Sequence, residues 1–476
     1  MEGPAGTDAT PEEREALRRA FEETPSVFQL LSTLRTRRMG RGFKCESGTE
    51  ETLEWSNGRV VKQAKGPLAF ESEAPPAPLS EIEEALIAWA ACGPNGTSLA
   101  DVAVNGSLSS LLFWAGRTIP ASSNDQSVAL AIVNDSGTHL YRPGPERAAP
   151  VEIASPDDYP KILDWYRRCT TKIADTRPDT GWFSAPEGTH NVNALGPMQY
   201  NLNRPGATWF LPIGDLGIEW FNTLLVAYEW WGFYLQDPET NKPAGCDEWI
   251  KPGLLEVGFP IPVFDEFILM LHSSQVGCAV QNMRLASEAL GLGAWPVGNY
   301  ADDFVLGAYP DVSRGLGFEF LERDADRNPS KTATCVGLPG VFDATAVPTA
   351  KYPSAADALT KVRDQRYEAN TGPLSPGGQW ATRAGGPYND ETRREIVENP
   401  RAHISDWAID AAIATVEYIV EKYGVAPAWI SPMRAKFSCQ VQHVDPDFYR
   451  RFNTTLGDDA FSITPAIRDH DQTWHS

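Results

Sequence analysis

Four stretches of this chain carry groups suited to holding an anion or a flat ring. Arg35, Arg37, Arg38 and Arg41 close an apolar helical stripe, with Gly40 and Gly42 breaking it. A guanidinium offers a planar fork that meets phosphate in bidentate fashion. The same cations would also suit a solvated face that complements a helix C-terminus. Pro120, Ala121, Ser122, Ser123, Asn124 and Gln126 lie just ahead of an apolar run. Small residues let backbone approach a flat ligand, and Asn124 and Gln126 each offer donor and acceptor; the plainer reading is a loop entering a strand. The turn from Gly291 to Asn299 could aim backbone N–H groups at a heteroatom, or simply stop a helix before a core strand. Lys361 and Arg363 add two cations, which alone read as a surface charge pair.

Two further groups read differently. Tyr228, Trp230 and Trp231 stand beside Phe233 and Tyr234. They could stack a flat substrate, although core packing is the commoner fate of such residues. Cys439, His443 and Asp445 have a loosely ligand-like spacing. A zinc site needs about four ligands and no second cluster is evident, so no metal is expected. His272 opens the clearest helix and reads as a capping or core histidine.

The elements that position these residues follow from punctuation and period. Thr10-Pro11-Glu12-Glu13 is a helix start with a capping box. Thr24-Pro25 leads into Val27, Leu30, Leu31 and Leu34, one apolar helical face. A third helix starts near Leu79 and ends near Cys92-Gly93-Pro94. Val128 to Val133 reads as a buried strand, and Asn134 to Gly137 as a hairpin turn returning through His139 to Arg142. Trp220 to Tyr234 reads as an aromatic helix, residues 272–290 as a helix stopped by Gly291, Ala294 to Gly298 as a strand, Thr332 to Val336 as another, and 403–422 as a last helix.

Composition sets outer limits. The chain has 476 residues, with 41 basic and 63 acidic residues and a net charge of −22. That balance argues against broad binding to nucleic acid or anionic membranes. With 42% apolar residues and 15 tryptophans the chain is not mainly disordered. No stretch is long and apolar enough to span a bilayer, and the N-terminus lacks a secretory pattern. Seven scattered cysteines with no CxxC pair suit a reduced, cytoplasmic protein.

Taken in order, four of these motifs resemble the nitroreductase superfamily of FMN-dependent enzymes. Arg37 to Phe43 (RRMGRGF) is similar to that family's RRSxRxF element. Pro120 to Gln126 (PASSNDQ) is similar to its PSSxNxQP element, with a strand and His139 to Pro143 following. Ser273 to Gly298 resembles its helix-then-GLG segment, and Lys361 to Arg363 falls where it carries a late basic contact. Met39 replaces a usual Ser or Thr, Ala121 replaces a Ser, and Ser127 stands where Pro is common.

The resemblance implies an α+β fold with a mixed, mainly antiparallel sheet flanked by helices, in an intertwined homodimer with FMN at the interface. It implies that Arg37, Arg38, Arg41, Lys361 and Arg363 hold the FMN phosphate and ribityl chain, with Met39 at a further cofactor-binding position. Pro120 to Asn124 and Gln126 would lie along the isoalloxazine, and Val297, Gly298 and Asn299 near flavin N5. The matched core would be residues 26–367 with an insertion at about 150–265, after a tail and helix over 1–25. Residues 368–476 would extend it and wrap the partner. The expected activity is hydride transfer through N5, reducing a nitroaromatic, quinone or enone with NAD(P)H. No GxGxxG follows a strand, so a nicotinamide would stack on the flavin rather than occupy its own domain. The alternatives are an FMN-dependent dehydrogenase or oxidase of a natural product or peptide, and a non-catalytic flavin-binding or assembly protein.

Overall fold

The computed structural model describes residues 9–45, 51–54, 60–63, 67–97, 103–104, 107–108, 115–121, 127–143, 153–178, 201–298, 300–311, 313–322, 324, 326–367, 389–391, 404–452 and 463–475. Its centre is one seven-stranded sheet. The strands are β1 (Val128–Asn134), β2 (Gly137–Tyr141), β3 (Thr170–Ala174), β4 (Ala207–Asp215), β5 (Gly293–Val297), β6 (Met433–Arg434) and β7 (Ser438–Gln442). The order across the sheet is β3-β2-β1-β4-β7-β5, with β6 also on β4. Every ladder in it is antiparallel. The fold is therefore α+β, but its main sheet is not mixed. A short parallel ladder, Phe233–Gln236 on Val257–Pro260, stands apart from it.

The unbroken apolar run of β1 has a direct cause. Leu130 and Ile132 enter one core cluster while Ala129, Ala131 and Val133 enter another on the opposite face. Successive strand residues point to opposite faces, so a strand covered on both sides needs apolar residues throughout. Strand β4 repeats the pattern, with Phe210 on one side and Trp209, Leu211 and Ile213 on the other. The β1–β2 hairpin turns at Asp135-Ser136, and Asn134 Oδ1 accepts the Ser136 N–H at 3.0 Å.

Eight of the helices are α1 (Pro11–Glu22), α2 (Val27–Thr33), α3 (Glu81–Cys92), α4 (Pro160–Cys169), α5 (Leu216–Val226), α6 (Ile261–Leu290), α7 (Ala355–Tyr367) and α8 (Asp406–Tyr423), and shorter ones include Pro446–Phe452 and His470–Trp474. The first three start from Thr10, Ser26 and Ser80, each closing a capping box. Helix α6 has 30 residues and begins well before His272. Its first half (Phe264, Ile268, Leu271) packs with α5, α7 and α8. Its second half (Val276, Val280, Met283) packs with α3 and the sheet. The apolar stripe changes partners near His272, which hides the first half from a single-period reading. Gly291 ends the helix at φ 79°, a left-handed stop that glycine adopts without strain.

Two regions differ from expectation. The aromatic helix stops at Val226, passes through a π turn over Ala227–Trp231 and becomes a strand at Phe233. The segment without family motifs, 368–476, supplies β7, which lies between β4 and β5 inside the chain's own sheet.

Candidate metal centre and the basic segment beside it

Among the described residues, four side chains from remote parts of the chain converge on one polar site. Glu83 sits in the first turn of α3, three residues after the cap Ser80. Its Oε2 accepts hydrogen bonds from Ser80 N (2.6 Å) and Ser80 Oγ (2.8 Å). Its Oε1 is buried without a hydrogen-bond partner. Around that oxygen stand the Nε2 atoms of His470 at 3.1 Å and of His443 and His475 at 3.5 Å each. The His475 Nε2 is in turn 3.2 Å from both other Nε2 atoms.

Backbone fixes two of the rings. His443 Nδ1 lies 2.7 Å from the Ala77 carbonyl, and His470 Nδ1 lies 2.8 Å from the Leu290 carbonyl at the end of α6. A carbonyl oxygen only accepts, so each Nδ1 carries the hydrogen and donates. In the neutral rings both Nε2 lone pairs then face the centre. Glu83, His443 and His470 are buried, while the His475 side chain is 33% exposed. Burial by itself would raise the Glu83 pKa; the three imidazoles outweigh it and hold the carboxyl well below the usual range. Glu83 likewise raises the His475 pKa. Counting only sequence neighbours of His443 left the set short of ligands. Cys439 and Asp445 are buried without joining it, and Glu83, His470 and His475 take their place.

The basic segment runs alongside. Arg41 N–H donates to the His443 carbonyl at 3.1 Å, and Arg41 Nη2 is 2.6 Å from Asp471 Oδ2. Arg37 is buried against Glu288 of α6, 2.5 Å apart, with both side chains 2% exposed. The Arg38 guanidinium lies 3.7 Å from the centroid of the Trp295 ring in β5. Met39 fills a small apolar cluster with Phe43 and Phe448, and its N–H donates to the Tyr449 hydroxyl at 3.2 Å. Val297 is buried at the end of β5. A Cβ on Gly293 would sit 2.8 Å from the Arg37 carbonyl, and one on Gly298 would sit 3.1 Å from the Phe437 ring. The first and third motifs thus meet backbone to backbone.

The fourth motif does not join them. Lys361 lies on α7 with its Nζ 5.3 Å from the Tyr352 ring centroid, and Arg363 Nε is 2.9 Å from Asp364 Oδ1. Helix α7 shares an apolar cluster with the first half of α6, whereas Arg37 pairs at Glu288 near that helix's other end. At 1.5 Å per residue, Leu271 and Glu288 are about 25 Å apart along the axis. Lys361 and Arg363 thus have partners of their own, apart from those of Arg37, Arg38 and Arg41. Pro120 is exposed and Ala121 half-buried. Ser122, Ser123, Asn124, Gln126 and Asn299 lie outside the described residues.

Of the aromatic candidates, Trp231 is 43% exposed and lines an apolar groove of about 190 Å³ with Phe233, Phe259, Phe264 and Phe267. Trp230 is half-buried against the core beneath. Tyr228 is fully buried, its hydroxyl 2.7 Å from Thr415 Oγ1, so it packs rather than presents a surface. His272 is a core residue, pushed down to about 4 by burial and the nearby Arg434; a Cβ on Gly214 would overlap its ring. The described cysteines with placed side chains are free thiols. Among the described residues, no helix is long and apolar enough to cross a membrane.

No family model and no curated protein matches this chain. Among solved structures, a presumed nitroreductase from Ralstonia eutropha JMP134 is similar over 62% of this chain and 74% of that one, with 13% identity and a TM-score of 0.26.

Proposed function

We propose that this chain is an FMN-dependent oxidoreductase that reduces a planar organic substrate, such as a nitroaromatic, quinone or enone, with NAD(P)H. The observation that supports this reading best is the meeting of two distant motifs: Arg38 stacks on Trp295, and Gly293 lies against the Arg37 carbonyl. Bound FMN would supply the N5 atom that accepts and returns hydride.

The chain's own groups limit how such a cofactor is held. Arg37 and Arg41 already have carboxylate partners at 2.5 and 2.6 Å. Arg37 is a buried ion pair, and taking its cation away would leave Glu288 uncompensated. Its role in the proposal is to fix the segment, so that Arg38 meets the anion. Lys361 and Arg363, at the other end of α6, would serve only as residues of a second subunit. Val297 and Gly298 would bring main chain close to the ring, where a fixed N–H favours the charge that develops on reduction.

The test is the visible spectrum of the purified chain before and after anaerobic NADPH. A flavin spectrum that bleaches is the expected result. Arg38→Ala combined with Lys361→Ala should release the flavin. Unchanged flavin occupancy in that double variant would sink the assignment, and no flavin uptake by the parent chain would sink the function.

A further inference from the structure

The geometry points to a metal clasp: Glu83 Oε1 and the Nε2 atoms of His443, His470 and His475 bind one divalent transition-metal ion of the zinc class. This does not rest on the flavin reading.

Spacing is the first argument. Zinc–nitrogen and zinc–carboxylate bonds are about 2.0–2.2 Å, so neighbouring donors around a tetrahedral ion stand about 3.3–3.5 Å apart. Five of the six donor pairs here measure 3.1 to 3.5 Å, and all four donors lie within 4.8 Å of one another.

Orientation is the second. Ligating histidines characteristically donate their other N–H to a carbonyl or carboxylate, and ligating carboxylates are themselves hydrogen-bonded. His443 and His470 do so to Ala77 and Leu290. Glu83 does so through its capping box, which occupies Oε2 and leaves Oε1 to face the rings.

Counting hydrogens gives the third. With Nδ1 the donor in His443 and His470, neither neutral ring has a hydrogen to offer at Nε2. The single N–H that a neutral His475 can place at Nε2 cannot serve two imidazoles and a carboxylate at once. The centre therefore demands a cation, either a metal ion or additional protons. Three imidazoles and one carboxylate suit zinc, cobalt, nickel or copper better than calcium or magnesium, which prefer all-oxygen shells.

Four protein ligands fill a tetrahedral shell, as in structural rather than catalytic sites. The ion would pin residues 470–475 to the start of α3 and to the exit of β7. It would also hold the end of α6 through the His470–Leu290 bond.

The experiment uses the full chain without an oligohistidine tag, stripped with chelator and titrated with Co²⁺ and Zn²⁺. The expected result is one equivalent of Co²⁺ with the strong visible bands of a four-coordinate ion, displaced by one equivalent of Zn²⁺. Metal should protect residues 463–475 from limited proteolysis. His475→Ala removes the most exposed ligand and so disturbs packing least; it should weaken Co²⁺ binding by at least about 100-fold, beyond the 10–100-fold typical of outer-shell losses. Glu83→Gln should do the same. Stoichiometry near zero with metal in excess would overturn the proposal and leave protons as the cation. Binding of one equivalent that both variants retain would overturn it too.

Discussion

The basic segment and the histidine centre lie side by side, yet they are opposite kinds of polar cluster. In the first, each charge has found a partner: Arg37 takes Glu288, Arg41 takes Asp471, and Arg38 lies over the Trp295 ring. In the second, a carboxylate oxygen and three ring nitrogens turn toward one another around a common centre. The arginines are conspicuous in sequence, and in the fold Arg37 and Arg41 are ion-paired while Arg38 lies on a ring. The histidines are scattered in sequence and chemically unfinished in the fold.

That contrast can be broken most forcefully at Arg37. Truncating one partner of a buried ion pair costs about 3–5 kcal/mol, while replacing both with apolar residues is often neutral or stabilising. Arg37→Ala should therefore lower unfolding free energy by about that amount, and Arg37→Met with Glu288→Leu should recover most of it. If Arg37→Ala instead leaves stability unchanged but strips flavin, Arg37 is a ligand contact and the two clusters are alike.

Acid sensitivity offers the next separation, because a buried histidine outside both clusters also responds to pH. His272 is pushed down to about 4, below its unfolded value of about 6.5. Its contribution is present above that value and lost as pH falls toward 4, at roughly 3 kcal/mol in all. Asp265 has the opposite sign. Burial pushes it up to about 7 although the Trp220 indole and Trp429 N–H donate to it. Its contribution is full below about 4 and is lost as pH rises toward 7. Denaturant curves of His272→Asn should lose slope between pH 4 and 6.5. A slope identical to the parent's would assign the acid loss elsewhere, the histidine centre included.

Loading the centre should have a comparable effect that vanishes with its ligands. An ion at a hundred times its dissociation constant adds about 2.7 kcal/mol. The melting temperature of the parent chain should rise with Zn²⁺, and that of His475→Ala should not. Equal shifts in both would place the ion outside the centre.

The smallest effect is the most discriminating. Thr10, Ser26 and Ser80 all close capping boxes, and losing a cap typically costs about 1 kcal/mol. Ser80→Ala should also loosen the Glu83 carboxylate and weaken metal binding about 10–100-fold. Thr10→Ala and Ser26→Ala should lose stability alone. If all three variants bind metal like the parent, the capping box does not orient a ligand.

Much of the fold is legible in the residues themselves. Val128 to Val133 announces a doubly covered strand, and Gly291 announces the end of α6. Thr10-Pro11-Glu12-Glu13 announces a capped helix. What stayed hidden depends on partners far along the chain. Nothing near Arg37 in sequence points to Glu288, so a buried ion pair reads as a free cation. Glu83 passes in sequence as one more acidic residue of a first helical turn, and only the fold shows Ser80 taking one of its oxygens and leaving the other. His470 and His475 reach it only after β7 has threaded between β4 and β5. A free donor at Glu83 Oε1 is visible only when every neighbour of its twin has been counted.

Helix α6 carries a consequence for cooperativity. Its first half belongs to the core that floors the aromatic groove, and its second half ends at the carbonyl that orients His470. Regions of a protein often open independently, each with its own free energy. A continuous helix of 30 residues anchored in both cores ties their opening together. Amide exchange along Phe264 to Met283 should report one shared opening free energy, and a ligand at either end should slow exchange at the other.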